Sequence, residues 1–339
     1  MLDKITKKMY KFLLFKNDQN DATSYYISII ISALEISGKN YKVIHSTNEI
    51  EKDDIVITIQ AKAFFYVWLK NRKQRIINWF QGIAPEETLL DGKGLYKYLR
   101  ALGWTFFEYL ALKKAYKIFF VSNSMFLHYK NKYGYNKNNH YIMPCFNQEL
   151  NETAFNNTKY NSPSFVYAGS LSKWQCFDQT LEIFKTIQNT MPNSTLAVLT
   201  NEIEKAKTLI DKYKIKNTDI KYIPYQLLNK ELAKYKYGFL IRENIPINKV
   251  ATPTKMNSYM ANGIIPIFSD IIGDFKEEFK EFKYLIRYEN NSNTYIQQIV
   301  NIENQNNIGN HIYSEYKQLF KNYFSKEHYK LEILEFLSK

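Results

Sequence analysis

Residues 238 to 268, GFLIRENIPINKVATPTKMNSYMANGIIPIF, constrain the fold more than any other stretch of the chain. The apolar pattern predicts a strand over 238–241, a polar loop holding Arg242, Glu243 and Lys249, a helix starting near Pro253, and a second buried strand over 264–268. Pro253 and Thr254 suit a helix start, because proline loses no hydrogen bond at the first helical position and presets φ. Gly263 closes the helix before the Ile-Ile-Pro-Ile run. The first N–H groups of such a helix lie at the positive end of its dipole, so 252–255 offers a place for an anion. Many α/β domains contain the same unit with no ligand, so the pattern alone does not make a site. The loop adds weight, since Arg242 is one of only five arginines and stands at the carboxyl end of a buried strand, where ligands of open α/β sheets collect.

With 339 residues the chain has room for two domains, and 45% hydrophobic with 16% aromatic content excludes a disordered chain. Forty-six basic against 33 acidic residues give a formal charge of +13, which favours anionic partners. The lysines are scattered and no nucleic-acid module is present, so nucleic acid is not expected as a partner. The two cysteines, Cys145 and Cys176, have no metal-ligand spacing and fit a reducing compartment without a structural disulfide. No apolar run reaches the roughly 18 to 20 residues needed to span a bilayer, and residues 1–15 lack the pattern of a cleavable signal. A cytoplasmic location is the expectation.

In the N-terminal half, strands are predicted over 10–15, 41–45, 54–59, 75–80, 118–121 and 141–143, with helices between them, notably 23–37. This alternation argues a parallel sheet wrapped by helices. The loop 16–23, KNDQNDAT, lacks the glycines of a dinucleotide-binding turn. At 78–87, NWFQGIAPEE, a buried strand breaks at Gly82, and a proline followed by two acids marks a helix start. Glu86 and Glu87 either cap that helix or, with Gln81 and Gly82, hold a substrate at the strand end. Residues 93–117 carry Leu95, Leu99, Leu102, Phe106 and Leu110 at helical spacing among Lys93, Lys97, Arg100, Lys113 and Lys114. That helix either packs on its own sheet or adsorbs to an anionic membrane surface.

Residues 147–162 are polar and read as a linker. A second alternation follows: a strand over 165–168, the turn Gly169-Ser170-Leu171-Ser172-Lys173-Trp174, a helix over 177–190, strands over 195–199 and 220–223 with a helix over 202–213, then the 238–268 unit. Residues 313–339 are helical in pattern and long enough to reach back to the first domain.

With these residues in place, the whole chain resembles the GT-B glycosyltransferases, and within them the family 4 enzymes that build bacterial surface polysaccharides. Three stretches carry the resemblance: WFQGIAPEE at 79–87, YAGSLSKWQCFD at 167–178, and RENIPINKVATPTKMNSYMANGIIPI at 242–267. It implies an α/β fold of two Rossmann-like domains facing each other across a cleft. The acceptor domain covers 1–146, the nucleotide-sugar domain 163–321, and a helix over about 322–339 returns to the first domain. The donor is then expected at Gly169, Ser170, Lys173, Thr252, Pro253, Thr254, Lys255 and Ser258, and a glycan or lipid-linked acceptor at Gln81, Gly82, Glu86 and Glu87. Arg242, Glu243 and Lys249 are expected at the chemistry, Glu243 contacting donor sugar hydroxyls or pairing with Arg242.

Three positions depart from the family's pattern. Ser258 stands where a glutamate usually holds the nucleotide ribose, and Gly169-Ser170-Leu171 has Ser170 where the family's Gly-Arg-Leu has an arginine, while Gln175 stands where a lysine usually binds the diphosphate. Lys173, Lys249, Lys255 or Arg242 then has to supply the positive charge. No Asp-x-Asp occurs, so no metal or other cofactor is expected. The resemblance implies sugar transfer with retained configuration in capsule, O-antigen or lipooligosaccharide synthesis. It also implies work at the inner face of a membrane, with Lys4, Lys7, Lys8, Lys93, Lys97 and Arg100 as the adsorbing charges. A GT-B epimerase or phosphorylase, or a non-catalytic glycan- or membrane-binding protein, would share the fold.

Overall fold

The computed structural model describes residues 9–15, 18, 21–290 and 292–339. Lys4, Lys7 and Lys8, and most of the loop 16–20, lie outside the described residues. The chain forms two units. The first comprises the described residues up to Asn147 together with Lys249–Thr252 and Ser325–Lys339, and the second comprises Gln148–Asn248 and Pro253–Phe324.

The first unit holds six parallel strands, β1 (Met9–Leu13), β2 (Asn40–Ile44), β3 (Ile55–Thr58), β4 (Arg75–Phe80), β5 (Lys117–Phe120) and β6 (His140–Ile142), in the order β2-β1-β3-β4-β5-β6. β3, β4 and β5 are apolar almost throughout because helices cover both faces of a parallel sheet. The strand order reverses between β1 and β3, so the connections after those strands diverge and leave a crevice at their carboxyl ends. Tyr26 lies flat on Trp79, ring centroids 3.6 Å apart, and fixes the Asp21–Ile36 helix on the sheet. The Lys326–Ser338 helix packs beside it, with Phe336 against Phe119 at 5.5 Å.

The second unit repeats the architecture with β7 (Ser164–Ala168), β8 (Thr195–Leu199), β9 (Thr218–Lys221), β10 (Tyr237–Leu240), β11 (Ile265–Ser269) and β12 (Ile286–Tyr288), all parallel, in the order β12-β11-β10-β7-β8-β9. Here the reversal falls between β7 and β10. Their pairing covers only Tyr237 with Phe165 and Gly238 with Val166, after which the strands part. The Tyr259 hydroxyl enters the gap. It accepts from Ala168 N–H at 3.2 Å and donates to Phe239 C=O at 3.3 Å, taking the bonds that the ladder no longer supplies. A Cβ on Gly238 would lie 2.7 Å from that ring, so glycine is what lets Tyr259 approach.

Several expectations shift at their edges. The 238–268 unit is present, but its loop contains a short helix, Pro246–Val250, and the following helix runs Thr254–Ala261 with Pro253 at its N-cap. Residues 147–162 form two 3-10 turns, Glu152–Phe155 and Asn157–Asn161, and bury Ala154, Phe155 and Tyr160. Tyr160 donates to Gly263 C=O at 2.7 Å and Lys159 to Asn262 C=O at 2.6 Å, which gives this polar stretch a packed role. The C-terminal helical pattern is two helices, Gly309–Asn322 and Lys326–Ser338, and Ser325 caps the second by accepting from His328 N–H at 3.1 Å. The helix expected over 93–117 spans Tyr96–Lys114, and its apolar stripe faces outward, with only Leu110 of the five apolar positions buried. Its inner face is built instead from Ala101, Glu108, Ala111 and Leu112, whose small residues permit close packing on the Ala61–Lys70 helix.

Removing the Tyr259 hydroxyl in Tyr259→Phe leaves a buried N–H and C=O unpaired, and should cost about 1 to 3 kcal/mol. Gly238→Ala should cost a similar amount, about 1 to 3 kcal/mol, by overpacking the same spot. Urea unfolding followed by fluorescence of Trp174, in the second unit, checks both.

Candidate functional site

At the strand reversal of the second unit, Arg242 follows β10 and Gly169 follows β7. Arg242 is buried, and its backbone N–H donates to Ser269 Oγ at 2.8 Å. Lys255 sits one helical turn before Tyr259, on the same face, so the residue that plugs the strand gap also aims Lys255 at the strand ends. The ammonium lies 4.8 Å from the centre of the Tyr167 ring. It stands 3.1 Å from where a Gly169 Cβ would be, and Gly169 has φ +141°. Both the backbone angle and the lysine therefore call for glycine there.

The two cations share one acceptor. Arg242 Nη1 and Lys255 Nζ both donate to Gln175 Oε1, the lysine at 3.2 Å. Among the described residues no Asp or Glu pairs with either cation, and the groups acting on them are Tyr167, Cys176, Tyr259 and each other. Burial, followed by the Arg242 charge, pushes the Lys255 ammonium well below the usual lysine range. Burial likewise lowers Arg242. A buried guanidinium and a half-buried ammonium on one neutral oxygen form a site whose electrostatics an anion would complete.

In the first unit, Gln60, Trp79, Gln81, Gly82, Glu87, Trp104 and Glu108 line a cavity of about 320 Å³ at the carboxyl ends of β3 and β4. Glu87 folds back over Gly82, its Oε1 2.0 Å from the position of a would-be Cβ, so a side chain there would displace the Glu87 carboxylate. Burial raises the Glu87 carboxyl, and it pushes the Glu108 carboxyl up to about 7. Glu108 accepts from Ala84 N–H at 3.1 Å, Tyr129 at 3.0 Å and Tyr133 at 2.7 Å, bonds that partly offset its burial. Glu86 pairs with Lys132 at 2.7 Å and His128 at 3.4 Å, and the same Lys132 ammonium lies 3.6 Å from Glu108 Oε2. Burial opposes the ionisation of Glu86, but those two partners outweigh it and hold the carboxyl below its ordinary value.

The remaining expected site residues are placed as follows. Gln81, Gly82 and Glu87 come together at the cavity, whereas Glu86 is held in its ion pairs. Among the described residues Glu243 makes no ion pair with Arg242; its carbonyl accepts from Ile245 N–H at 2.8 Å and Asn248 Nδ2 at 2.9 Å. Lys173 is exposed, and Ser170 Oγ meets Ser172 Oγ at 3.0 Å. Lys249 and Thr252 belong to the first unit, where Thr252 Oγ1 accepts from Cys145 N–H at 3.0 Å and donates to Val121 C=O at 3.2 Å. Pro253 and Thr254 form the helix start, and the first intrahelical bond runs from Met256 N–H to Pro253 C=O at 3.1 Å. Ser258 Oγ accepts from Gln148 Nε2 at 3.2 Å. Sequence reasoning missed Gln60, Trp104 and Glu108. A signal existed for Glu108, the single acid in the otherwise basic stretch 93–117.

No family model matches the chain, and no curated protein matches it. Among solved structures it is similar to TarM of S. aureus in complex with fondaparinux, alpha-GlcNAc-glycerol and UDP, at 13% identity and a TM-score of 0.59, over 84% of this chain and 56% of that one. It is similar to Anabaena HepE in complex with UDP and glucose, at 12% identity and a TM-score of 0.67, over 97% and 99% of the two chains. It is also similar to WaaG, a glycosyltransferase involved in lipopolysaccharide biosynthesis, at 13% identity and a TM-score of 0.62, over 96% and 99%. The chain spans little more than half the length of TarM. At these identities the likeness establishes the fold, which is that of the GT-B glycosyltransferases.

Glu108 supplies a pH test of the first unit. Folded Glu108 keeps its proton up to about 7, whereas the ordinary value is 4.5, so its contribution is complete below the ordinary value and is lost as pH rises through the folded one. Stability should fall by on the order of 2 to 3 kcal/mol from this group between those limits. Glu108→Gln should flatten that slope in urea unfolding followed across the same pH range.

Proposed function

We propose that the chain is a nucleotide-sugar-dependent glycosyltransferase whose second unit binds the donor diphosphate at Arg242 and Lys255. The observation that carries this reading is the pair of cations, unmatched by an acid among the described residues, that share the neutral Gln175 oxygen at the carboxyl ends of β7 and β10. A diphosphate replaces that single oxygen with several anionic ones and gives each cation a partner. The Thr254 and Lys255 N–H groups at the helix start add to the same pull. In the transfer step the bond from the anomeric carbon to the diphosphate oxygen breaks, the acceptor oxygen bonds to that carbon, and the hydroxyl proton passes to the departing phosphate. Charge builds on that phosphate, which is where Arg242 and Lys255 act. Side chains meet this need without a metal ion.

The reading places the acceptor at the first unit's cavity. Trp79 and Trp104 offer flat apolar surfaces, and Gln60, Gln81 and Glu87 offer hydrogen bonds, a combination suited to sugar rings. Resemblance to the family 4 enzymes supports retained configuration, a lipid-linked acceptor, and work on surface polysaccharide at the inner face of a membrane. Among the described residues no helix is long and apolar enough to cross a bilayer, which fits attachment from one side.

Replacing Arg242 or Lys255 by alanine should weaken nucleotide-sugar binding by about 1.5 to 3 kcal/mol, measured calorimetrically. Pairing with phosphate restores Lys255 towards the ordinary lysine range, so binding should take up a proton and weaken as pH rises between the depressed and restored values. Calorimetry in buffers of different ionisation enthalpy reads that uptake, and Lys255→Met should abolish it. Unchanged affinity in both alanine variants would sink the placement. For the acceptor, Gln81→Ala and Glu87→Ala should raise its KM or lower kcat while leaving donor affinity unaltered, and the opposite pattern would reverse the division of labour.

A further inference from the structure

The Tyr96–Lys114 helix carries opposite chemistry on its two sides. Inward, Trp104 and Glu108 line the cavity of the first unit. Outward, Leu99 and Leu102 are each 68% exposed, Phe106 is 51% exposed, and Leu95, just before the helix, is 85% exposed. These four positions fall within roughly 60° of arc at 3.6 residues per turn, on the side opposite Trp104. Tyr98 and Tyr109 flank the stripe and are exposed as well. Contiguous apolar surface of this kind is uncommon on a soluble monomer and marks an interaction site.

The charges around the stripe narrow the choice of partner. From 93 to 114 the exposed charged residues are Lys93, Arg100, Lys113 and Lys114, while Lys97 is half-buried and falls on the Trp104 side of the helix. The single acid in that span, Glu108, is buried on the opposite face. A second copy of the same face would set these cations against their own kind. An anionic lipid surface matches both features, since the apolar side chains reach the acyl boundary while the lysines and the arginine meet headgroup phosphates.

We propose that this face docks the protein onto an anionic lipid bilayer. The proposal deepens the membrane part of the function proposed above and does not depend on its donor chemistry. One helix then separates lipid from cavity, a distance of about 10 Å, so an acceptor carried on a lipid would have a short path to Trp104 and Glu108.

Flotation of the full chain tests this with vesicles of phosphatidylcholine and phosphatidylglycerol in equal amounts, and with vesicles of phosphatidylcholine alone. The protein should float with the mixed vesicles, and raised salt should weaken that attachment. A variant combining Leu99→Ser, Leu102→Ser and Phe106→Ser should lose affinity for them by on the order of a hundredfold. A second variant combining Lys93→Gln, Arg100→Gln and Lys113→Gln should lose the preference for phosphatidylglycerol. Both variants should keep the parent's thermal midpoint and its affinity for a nucleoside diphosphate, which excludes misfolding as the cause. Flotation of the serine variant equal to the parent's would overturn the proposal. So would a parent that ignores mixed vesicles but forms a dimer that the serine variant dissolves, because the face would then bind itself. A parent that floats yet binds no nucleoside diphosphate would leave the docking intact and overturn the donor reading.

Discussion

The Tyr259 hydroxyl, held between Ala168 N–H and Phe239 C=O, is the contact on which the second unit's site depends. Parallel strands that part at a reversal leave backbone groups without ladder partners, and a buried unpaired group costs about as much as a lost hydrogen bond. One phenol satisfies both strands. Its ring occupies the space that a side chain at 238 would need, and its helix then presents Lys255 one turn earlier to the bare backbone of Gly169. Arg242 completes the arrangement from the end of β10, held by Ser269. The closure of the strand gap and the placement of the two cations are therefore set by the same few atoms.

The partners of the lysines also separate Lys255 from merely abundant ones. Lys11 and Lys236 are as buried as a lysine can be, yet each is matched by an acid, Asp54 at 2.7 Å and Glu303 at 2.6 Å. Such pairs are neutral in sum and need no ligand. Lys255 has no acid partner among the described residues and instead shares an amide oxygen with a guanidinium. In a chain with 46 basic residues, an unmatched, half-buried charge marks a candidate site where the composition cannot.

Most strands were legible from the sequence because a sheet covered on both faces needs unbroken apolar runs, as in Ile55–Thr58 and Tyr237–Leu240. The start at Pro253 was legible from proline chemistry. β12 was not predicted, since three residues, Ile286–Tyr288, carry too little pattern and take their register from β11. The Tyr96–Lys114 helix shows a deeper limit. Periodicity finds the apolar stripe but not which way it faces, and here alanines at 101 and 111 supply much of the buried contact while Leu95, Leu99 and Leu102 face out. Gln175 was visible as a departure from a family pattern, but its use as a shared acceptor required coordinates. The polar stretch 147–162 looked like a spacer because its buried residues, Ala154, Phe155 and Tyr160, are few and irregularly spaced.

Neither unit is one continuous length of chain. The first takes Lys249–Thr252 from the middle of the second, with Ser122 Oγ donating to Val250 C=O at 2.5 Å, and takes its last helix from Ser325–Lys339. A ribosome making this protein exposes the six strands of the first unit early, but withholds the helix that packs beside Asp21–Ile36 until the second unit has been made. Phe119 and Tyr141, which receive Phe336, wait uncovered through the synthesis of the whole second unit. Folding in order of synthesis, the usual route for chains of two domains, is therefore open to the second unit before the first. A fragment cut at Asn147 would lack these contacts and should behave as an incomplete domain.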